Sequence, residues 1–193
     1  MKNKVTFWDG VRSAIPVSLG YISIGAAFGI VASAQGYSIW QVFCLSVFLY
    51  AGASQFIIVA MMAVNTPISI IVLTVFLVNF RMFLQSLVTS QVFPKQSLIS
   101  GLLMGSFITD ESFGLLTLEQ AKRSPITPMW MHGVNVMSYV TWVLSTVIVT
   151  ALGSLIPNPE KYGIDYALVA MFIGLLALTI DSMVTHEKLS VVF

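Results

Sequence analysis

A long uncharged stretch restricts the fold of this chain more than any other feature. No Asp, Glu, Lys or Arg occurs from Ser13 to Phe80. Soluble domains usually carry about 25% charged residues, whereas this sequence has 9% charged and 57% hydrophobic residues. Such a chain lacks the polar residues that a water-exposed surface needs, so it predicts an integral membrane protein in a lipid bilayer. The net charge of +1 gives no reason to expect nucleic acid as a partner.

Apolar segments of membrane-spanning length occur six times. A spanning helix needs about 20 mostly apolar residues, whereas the strands of membrane barrels have about 10 residues of alternating polarity. The sequence therefore predicts an all-α, polytopic helical bundle, with residues 1–193 as a single transmembrane domain. The predicted spans are residues 13–34, 40–64, 67–89, 97–118, 129–154 and 165–185.

The N-terminus also has some features of a signal peptide. Lys2 and Lys4 precede an apolar stretch, and Ala32-Ser33-Ala34 resembles a cleavage site. The apolar part, residues 14–31, is longer than the core of about 7–15 residues that signal peptides have. We therefore expect it to be the first membrane span.

Basic residues are unevenly distributed between the predicted loops. Because cytoplasmic loops carry an excess of Lys and Arg, the side with more of them is expected to be cytoplasmic. This predicts a multi-pass protein of the cytoplasmic membrane with its N-terminus in the cytoplasm. On the N-terminal side are Lys2, Lys4, Arg12, Lys122, Arg123 and Lys188, and on the other side are Lys95 and Lys161.

Glycine pairs with the spacing G-x-x-x-G open both halves of the chain. Gly25 and Gly29 lie in the first span, and Gly101 and Gly105 lie in the fourth. This spacing is typical of close packing between membrane helices. Two sets of three spans with opposite orientation would also suit a 3+3 inverted repeat.

Arg81 lies deep in the third predicted span, within the sequence FLVNFRMFL. At about 1.5 Å per residue, Asp110 of the fourth span has a similar depth, within side-chain reach if the two helices are neighbours. Glu111 points about 100° away from Asp110, so only one of the acids should face Arg81. Three interpretations stay open. Arg81 forms a structural ion pair, or it meets a substrate carboxylate while Asp110 or Glu111 exchanges a proton, or it extends to the membrane surface without a role.

The second predicted span contains the sequence LYAGASQFI, in which small and polar residues interrupt an apolar run. Secondary transporters use interrupted helices to present backbone groups to a substrate at mid-membrane depth. Small residues equally serve ordinary helix packing. The candidate substrate-binding residues are therefore Gly52, Ser54 and Gln55, together with Asn79 and Arg81 of the third span.

Motifs of common enzyme classes are absent from the sequence. It has no zinc-ligand spacing, Walker loop, dinucleotide-binding fingerprint or nucleophile elbow. We therefore expect no catalytic residues, no metal site and no cofactor.

Three short motifs in a fixed order resemble those of AzlC-type permeases, the large subunit of bacterial branched-chain amino acid exporters. They are YAGASQF (50–56), VNFRMFL (78–84) and TDESF (109–113), and the glycine-rich GYISIGAAFGI also fits. The resemblance implies export of leucine, isoleucine and valine, and a small AzlD-type membrane subunit as partner. Relatives generally continue beyond the KLSVVF at which this sequence stops, so a shortened member and a truncated chain both stay open.

Taken together, the residues and the resemblance predict a secondary transporter that exports branched-chain, small apolar amino acids and is coupled to protons. A zwitterionic aliphatic amino acid needs a cation or N–H donors, an acid or carbonyls, and an apolar pocket, and this chain offers all three. The alternatives are an accessory or structural membrane subunit, a passive channel for small solutes, and a membrane enzyme built on Asp110, Glu111 and His132.

Overall fold

The computed structural model describes residues 5–122, 125–153, 166 and 173. Regular secondary structure within these ranges is helical throughout, which confirms the predicted all-α class. The helices are α1 (Phe7–Ser13), α2 (Ile15–Ala34), α3 (Ile39–Cys44), a π-helical turn (Leu45–Leu49), α4 (Gly52–Ala63), α5 (Ile68–Val92), α6 (Leu98–Ser106), α7 (Asp110–Ala121) and α8 (Pro128–Gly153).

Three of the described helices are long and apolar enough to cross a membrane. They are α2, α5 and α8, which coincide with the first, third and fifth predicted spans. The sixth predicted span, residues 165–185, lies outside the described residues. Several helices of this length and apolarity are what a multi-pass membrane protein requires.

The second predicted span consists of two helices rather than one. The π-helical turn ends at Tyr50, which has a left-handed backbone with a φ of 43°. Ala51 is extended, and α4 begins at Gly52. A positive φ is uncommon for a residue other than glycine and persists only where the surroundings fix it. The interruption suggested by the small residues is therefore present, and it is centred on Tyr50 and Ala51.

The fourth predicted span is also divided, which the sequence did not predict. Helix α6 ends at Ser106 and α7 begins at Asp110. Thr109 is extended and caps α7, since its Oγ1 accepts from the Ser112 N–H at 3.3 Å while the Ser112 hydroxyl oxygen accepts from the Thr109 N–H at 2.9 Å. This reciprocal capping box supplies partners for two backbone groups at the break. Neither 40–64 nor 97–118 is a continuous helix.

The most extensive helix packing in the described part of the protein joins α2 to α8. A Cβ atom on Gly25 would collide with the Ser145 side chain, and one on Gly29 would lie 2.8 Å from the Thr146 carbonyl oxygen. The first G-x-x-x-G pair therefore lets two long helices approach each other, as predicted. In the second pair, Gly105 packs near Ser86 of α5, whereas Gly101 faces open space.

The positions of the two breaks bear on the predicted 3+3 repeat. An inverted repeat of three spans would relate the second span to the fifth. The second span is broken, but α8, which occupies the fifth, is continuous from Pro128 to Gly153. The second span and α8, which such a repeat would relate, therefore differ, because one is interrupted and the other is continuous.

Replacing Gly29 by Ala should destabilise the α2–α8 contact. The added methyl group would meet backbone atoms of Thr146 and Thr150 at 2.8 Å, which cannot rotate away. Overpacking of this kind costs about 1–3 kcal/mol, so we expect a lower melting temperature of the detergent-purified protein.

Gly20→Ala in the same helix is the matched control, because nothing lies within 4 Å of the position of its Cβ. Ala is the better helix former by up to about 1 kcal/mol, so this variant should melt at the wild-type temperature or above. Equal melting of the two variants would contradict the packing role of Gly29.

Candidate functional site

Both helix breaks border one small cavity inside the protein, here called the central cavity. Its volume is about 20 Å³, which gives room for about one water molecule. The break before α4 contributes Tyr50, Gly52 and Ala53, and the break before α7 contributes Thr109, Asp110 and Glu111. The remaining lining residues are Tyr21 and Ile24 of α2, Arg81 and Met82 of α5, and Trp142 of α8.

Arg81 and Asp110 form an ion pair on one side of the central cavity. Arg81 Nη2 lies 2.8 Å from Asp110 Oδ2, and the two side chains are 33% and 18% exposed. Gln85 Nε2 donates to the other carboxylate oxygen of Asp110 at 2.8 Å. Both oxygens of Asp110 therefore have donors from α5. The predicted proximity of Arg81 to the fourth span is confirmed, and Asp110 is the acid that faces it.

Glu111 has a different set of partners. The Tyr21 hydroxyl donates to Glu111 Oε2 at 2.9 Å and lies 2.5 Å from Thr109 Oγ1. No cationic side chain pairs with Glu111 among the residues that the structure describes. The two neighbouring acids thus point in different directions, as the helical rotation predicted. Their position in the first turn of α7 also places both near the positive end of the helix dipole.

Gln55 is buried in a hydrogen-bonded network that holds the first break in place. Trp142 Nε1 donates to Gln55 Oε1 at 3.0 Å, and Gln55 Nε2 donates to Ser46 Oγ at 3.3 Å. The Ser46 hydroxyl lies 2.8 Å from Thr146 Oγ1. The Tyr139 hydroxyl donates to the Val47 carbonyl oxygen of the π-helical turn at 3.1 Å. These bonds attach the first break to α8.

Ser54 and Asn79 pair with each other away from the cavity lining. The Ser54 hydroxyl donates to Asn79 Oδ1 at 2.6 Å and so connects α4 to α5. Of the five predicted substrate-binding residues, Arg81 and Gly52 line the central cavity. The other three, Ser54, Gln55 and Asn79, hold helices together beside it.

Three aromatic residues that the sequence did not single out for binding, Tyr21, Tyr50 and Trp142, line the central cavity, and Phe107 and Tyr139 pack against them. Tyr21 and Trp142 pack edge to face with ring centroids 5.7 Å apart. Tyr50 and Phe107, one from each break, both pack on Tyr139 at 4.8 and 4.9 Å. The only sequence signal was the position of Tyr50 directly before Ala-Gly-Ala, because an aromatic residue in a membrane helix is otherwise most often packing.

The arrangement combines groups that bind charge with an apolar wall. It offers a guanidinium, two carboxylates, two helix N-termini and the faces of aromatic rings. No cluster of His, Cys, Asp and Glu that could hold a metal ion occurs in the described ranges. These groups suit recognition of a small molecule that carries opposite charges on a short scaffold.

The model of the AzlC protein family matches residues 16–156. The chain is 32% identical over 151 residues to inner membrane protein YgaZ of Escherichia coli (strain K12), covering 77% of this chain and 62% of that protein. It is 25% identical over 184 residues to the branched-chain amino acid transport protein AzlC of Bacillus subtilis (strain 168), covering 90% of this chain and 69% of that protein. An uncharacterized membrane protein of Helicobacter pylori (strain J99) is 27% identical over 169 residues, covering 88% of this chain and 73% of that protein.

These shares mean that the chain spans less than two thirds of the length of the E. coli relative. No solved structure matches the chain.

A double-mutant cycle on Arg81→Gln and Asp110→Asn should reveal strong coupling. Either single change leaves a partly buried charge without its partner, while the double variant removes both charges. A hydrogen bond to a charged group contributes about 1.5–3 kcal/mol, so we expect a coupling energy of that size in thermal unfolding of the purified protein.

The matched cycle uses Lys122→Gln and Glu119→Gln, which removes an ion pair with a 2.9 Å separation whose lysine side chain is 55% exposed. Exposed pairs contribute at most about 1 kcal/mol. If the Arg81–Asp110 coupling is no larger than this, the pair does not hold α5 to α7.

Proposed function

The chain belongs to the AzlC family, and we propose that it is a secondary transporter that exports branched-chain and other small apolar amino acids from the cytoplasm. One observation carries the proposal: two interrupted helices meet at a central cavity lined by Arg81, Asp110 and Glu111. Interrupted helices that meet at one site are a device by which secondary transporters bind a substrate inside the membrane. The name of the B. subtilis relative, which refers to branched-chain amino acid transport, supports the same substrate class.

The cavity wall suits the side chain of such a substrate. Ile24, Met82 and the rings of Tyr21 and Trp142 present apolar surface beside the charged groups. Discrimination between side chains that differ by one methylene is worth only about 1–3 kcal/mol. The proposed transporter therefore accepts several aliphatic amino acids.

The volume of the central cavity also bears on the mechanism. About 20 Å³ is too small for an amino acid, so binding requires the surrounding helices to separate. In this proposal Arg81 supplies positive potential near the site. Ser54, Gln55 and Asn79 reach a substrate only after their present hydrogen bonds break.

Proton coupling is proposed to act through one of the two acids of α7. Asp110 is held by Arg81 and Gln85, whereas Glu111 has no cationic partner in the described part of the chain. Glu111 is therefore the better candidate to bind either a proton or the ammonium group of the substrate. Since it cannot bind both, proton entry would be exchanged for amino acid exit.

The proposal includes the membrane arrangement and the partner. Six segments cross the cytoplasmic membrane, the second and fourth as interrupted helices, and the N-terminus lies in the cytoplasm. If the two halves form a 3+3 inverted repeat, α8 is continuous where its counterpart, the second span, is interrupted. A small AzlD-type membrane subunit, implied by the family resemblance, joins the chain to complete the exporter.

A second candidate is an accessory membrane subunit in which the Arg81–Asp110 pair only holds helices together. The observation in its favour is that both oxygens of Asp110 already have partners within the protein. A passive channel is a third candidate.

Counterflow in proteoliposomes separates these candidates. We expect unlabelled leucine inside the vesicles to accelerate uptake of labelled leucine. The reason is that a carrier with leucine bound returns its site to the outer face faster than an empty carrier does. The assay is run with and without the small membrane subunit. A channel gives uptake that internal leucine does not accelerate. No uptake in either preparation would refute transport by this protein.

Glu111→Gln should separate exchange from proton coupling. The amide cannot take up a proton in the pH range of the assay, but it still offers an oxygen to the ammonium group of the substrate. We expect leucine–leucine exchange to persist while accumulation driven by a pH gradient falls at least tenfold. Asp110→Asn is the matched control, which should lower thermal stability and keep the response to the gradient. Retention of that response by both variants would contradict coupling through α7.

A further inference from the structure

The N-terminus of α4 has no cap. Its N-cap residue is Ala51, whose side chain cannot accept a hydrogen bond. The first helical bond runs from the Gln55 N–H to the Ala51 carbonyl oxygen at 2.9 Å. The N–H groups of Gly52, Ala53 and Ser54 have no acceptor within the described ranges. Leaving buried N–H groups without acceptors is costly, above all inside a membrane.

The N-terminus of α7 borders the same cavity and differs in this respect. Thr109 and Ser112 cap it through their side chains and backbone. Asp110 and Glu111 place two carboxylates in its first turn, where they interact favourably with the helix dipole. Helix α7 therefore has a side-chain acceptor for its Ser112 N–H and two carboxylates in its first turn, whereas α4 has neither.

Tyr50 provides an independent sign of a ligand at α4. Its side chain is 7% exposed, and its hydroxyl makes no hydrogen bond of normal geometry with a described residue, although the Tyr21 hydroxyl is close by. It lines the central cavity together with Gly52 and Ala53. Nearly all buried hydroxyl groups in proteins have a partner. A donor from the side chain and donors from the backbone thus border the same small space.

We infer that the uncapped N-terminus of α4 and the Tyr50 hydroxyl form the binding site for the α-carboxylate of the substrate. Helix N-termini bind anions through free N–H groups and the dipole. The ammonium group then faces Glu111 across the cavity. Arg81 keeps its pairing with Asp110 and does not bind the carboxylate directly. This inference rests on the proposed function and narrows the substrate to zwitterions with a free carboxylate.

Gly52 explains why the site stays open. A Cβ atom at this position would lie 2.8 Å from Cη2 of Trp142, so a side chain here would fill the space between the indole ring and the first turn of α4. The absence of a side chain leaves the amide groups accessible from the cavity, which is a common use of glycine at ligand sites.

Tyr50→Phe tests the side-chain half of the site. The variant keeps the ring and loses the hydroxyl, so we expect the apparent dissociation constant for leucine to rise about tenfold or more, measured by ligand-induced thermal shift of the purified protein. The binding of leucinol, which lacks the carboxylate, should be weak in the wild type and unchanged in the variant. Tyr139→Phe is the matched control, because its hydroxyl binds the Val47 carbonyl oxygen. It should lower the melting temperature and keep leucine affinity.

Ala51→Ser tests the backbone half. A serine at the N-cap would accept from the free N–H groups and occupy the place of the carboxylate. We expect a higher melting temperature without ligand and a severalfold loss of leucine affinity in the same variant, a combination that a purely structural role does not produce.

The outcomes separate this inference from the proposed function. Wild-type leucine affinity in both variants, or equal binding of leucine and leucinol by the wild type, would overturn the carboxylate site while counterflow still shows transport. If the wild type neither binds leucine nor exchanges it, the proposed function fails and the site fails with it.

Discussion

Backbone hydrogen bonding inside the membrane is the constraint on which this structure depends. A helix that breaks within a bilayer frees N–H and C=O groups that lipid cannot satisfy, so each break needs partners from the protein. At the first break the Tyr139 hydroxyl donates to the carbonyl oxygen of Val47, and Gln55 forms hydrogen bonds with both Ser46 and Trp142. At the second break the chain caps itself. What is left unpaired at the first break, the start of α4, is where a ligand has the most to gain.

The close contact between α2 and α8 makes these partners available. Because Gly25 and Gly29 allow α8 to approach, its polar residues reach across the protein. Ser145 donates to the Tyr21 carbonyl oxygen at 3.3 Å, and Thr150 donates to that of Gly29 at 3.4 Å. Helix α8 therefore serves as a fixed support for the first break. In contrast, α5 buries only Ile71 and Thr89 among its residues, so its attachment depends on a few polar contacts such as the Arg81–Asp110 pair.

The sequence predicts the membrane class, the long helices and the proximity of Arg81 to Asp110, because composition, span length and depth along a helix are local properties. It does not predict the break before α7, because Thr109 and Ser112, which cap that helix, cannot be told from ordinary polar residues within an apolar run. It also misses Tyr21 and Trp142, whose partners Glu111 and Gln55 are 90 and 87 positions away along the chain. Contacts over such separations depend on how the helices pack, which hydrophobic periodicity alone does not specify.

The charge balance of the central cavity explains why an arginine is tolerated at this depth. Arg81 and Asp110 neutralise each other, which lowers the cost of placing either charge within the membrane. Glu111 is then the acid that still lacks a cation among the described residues. The Tyr21 hydroxyl and the dipole of α7 stabilise it only partly, so a partly buried carboxylate here gains from either a proton or an ammonium group. In the proposed site, a zwitterion bound between α4 and Glu111 would bring that ammonium, together with a carboxylate for the N–H groups that the first break leaves free. The two unsatisfied features of the site thus correspond to the two charges of one amino acid.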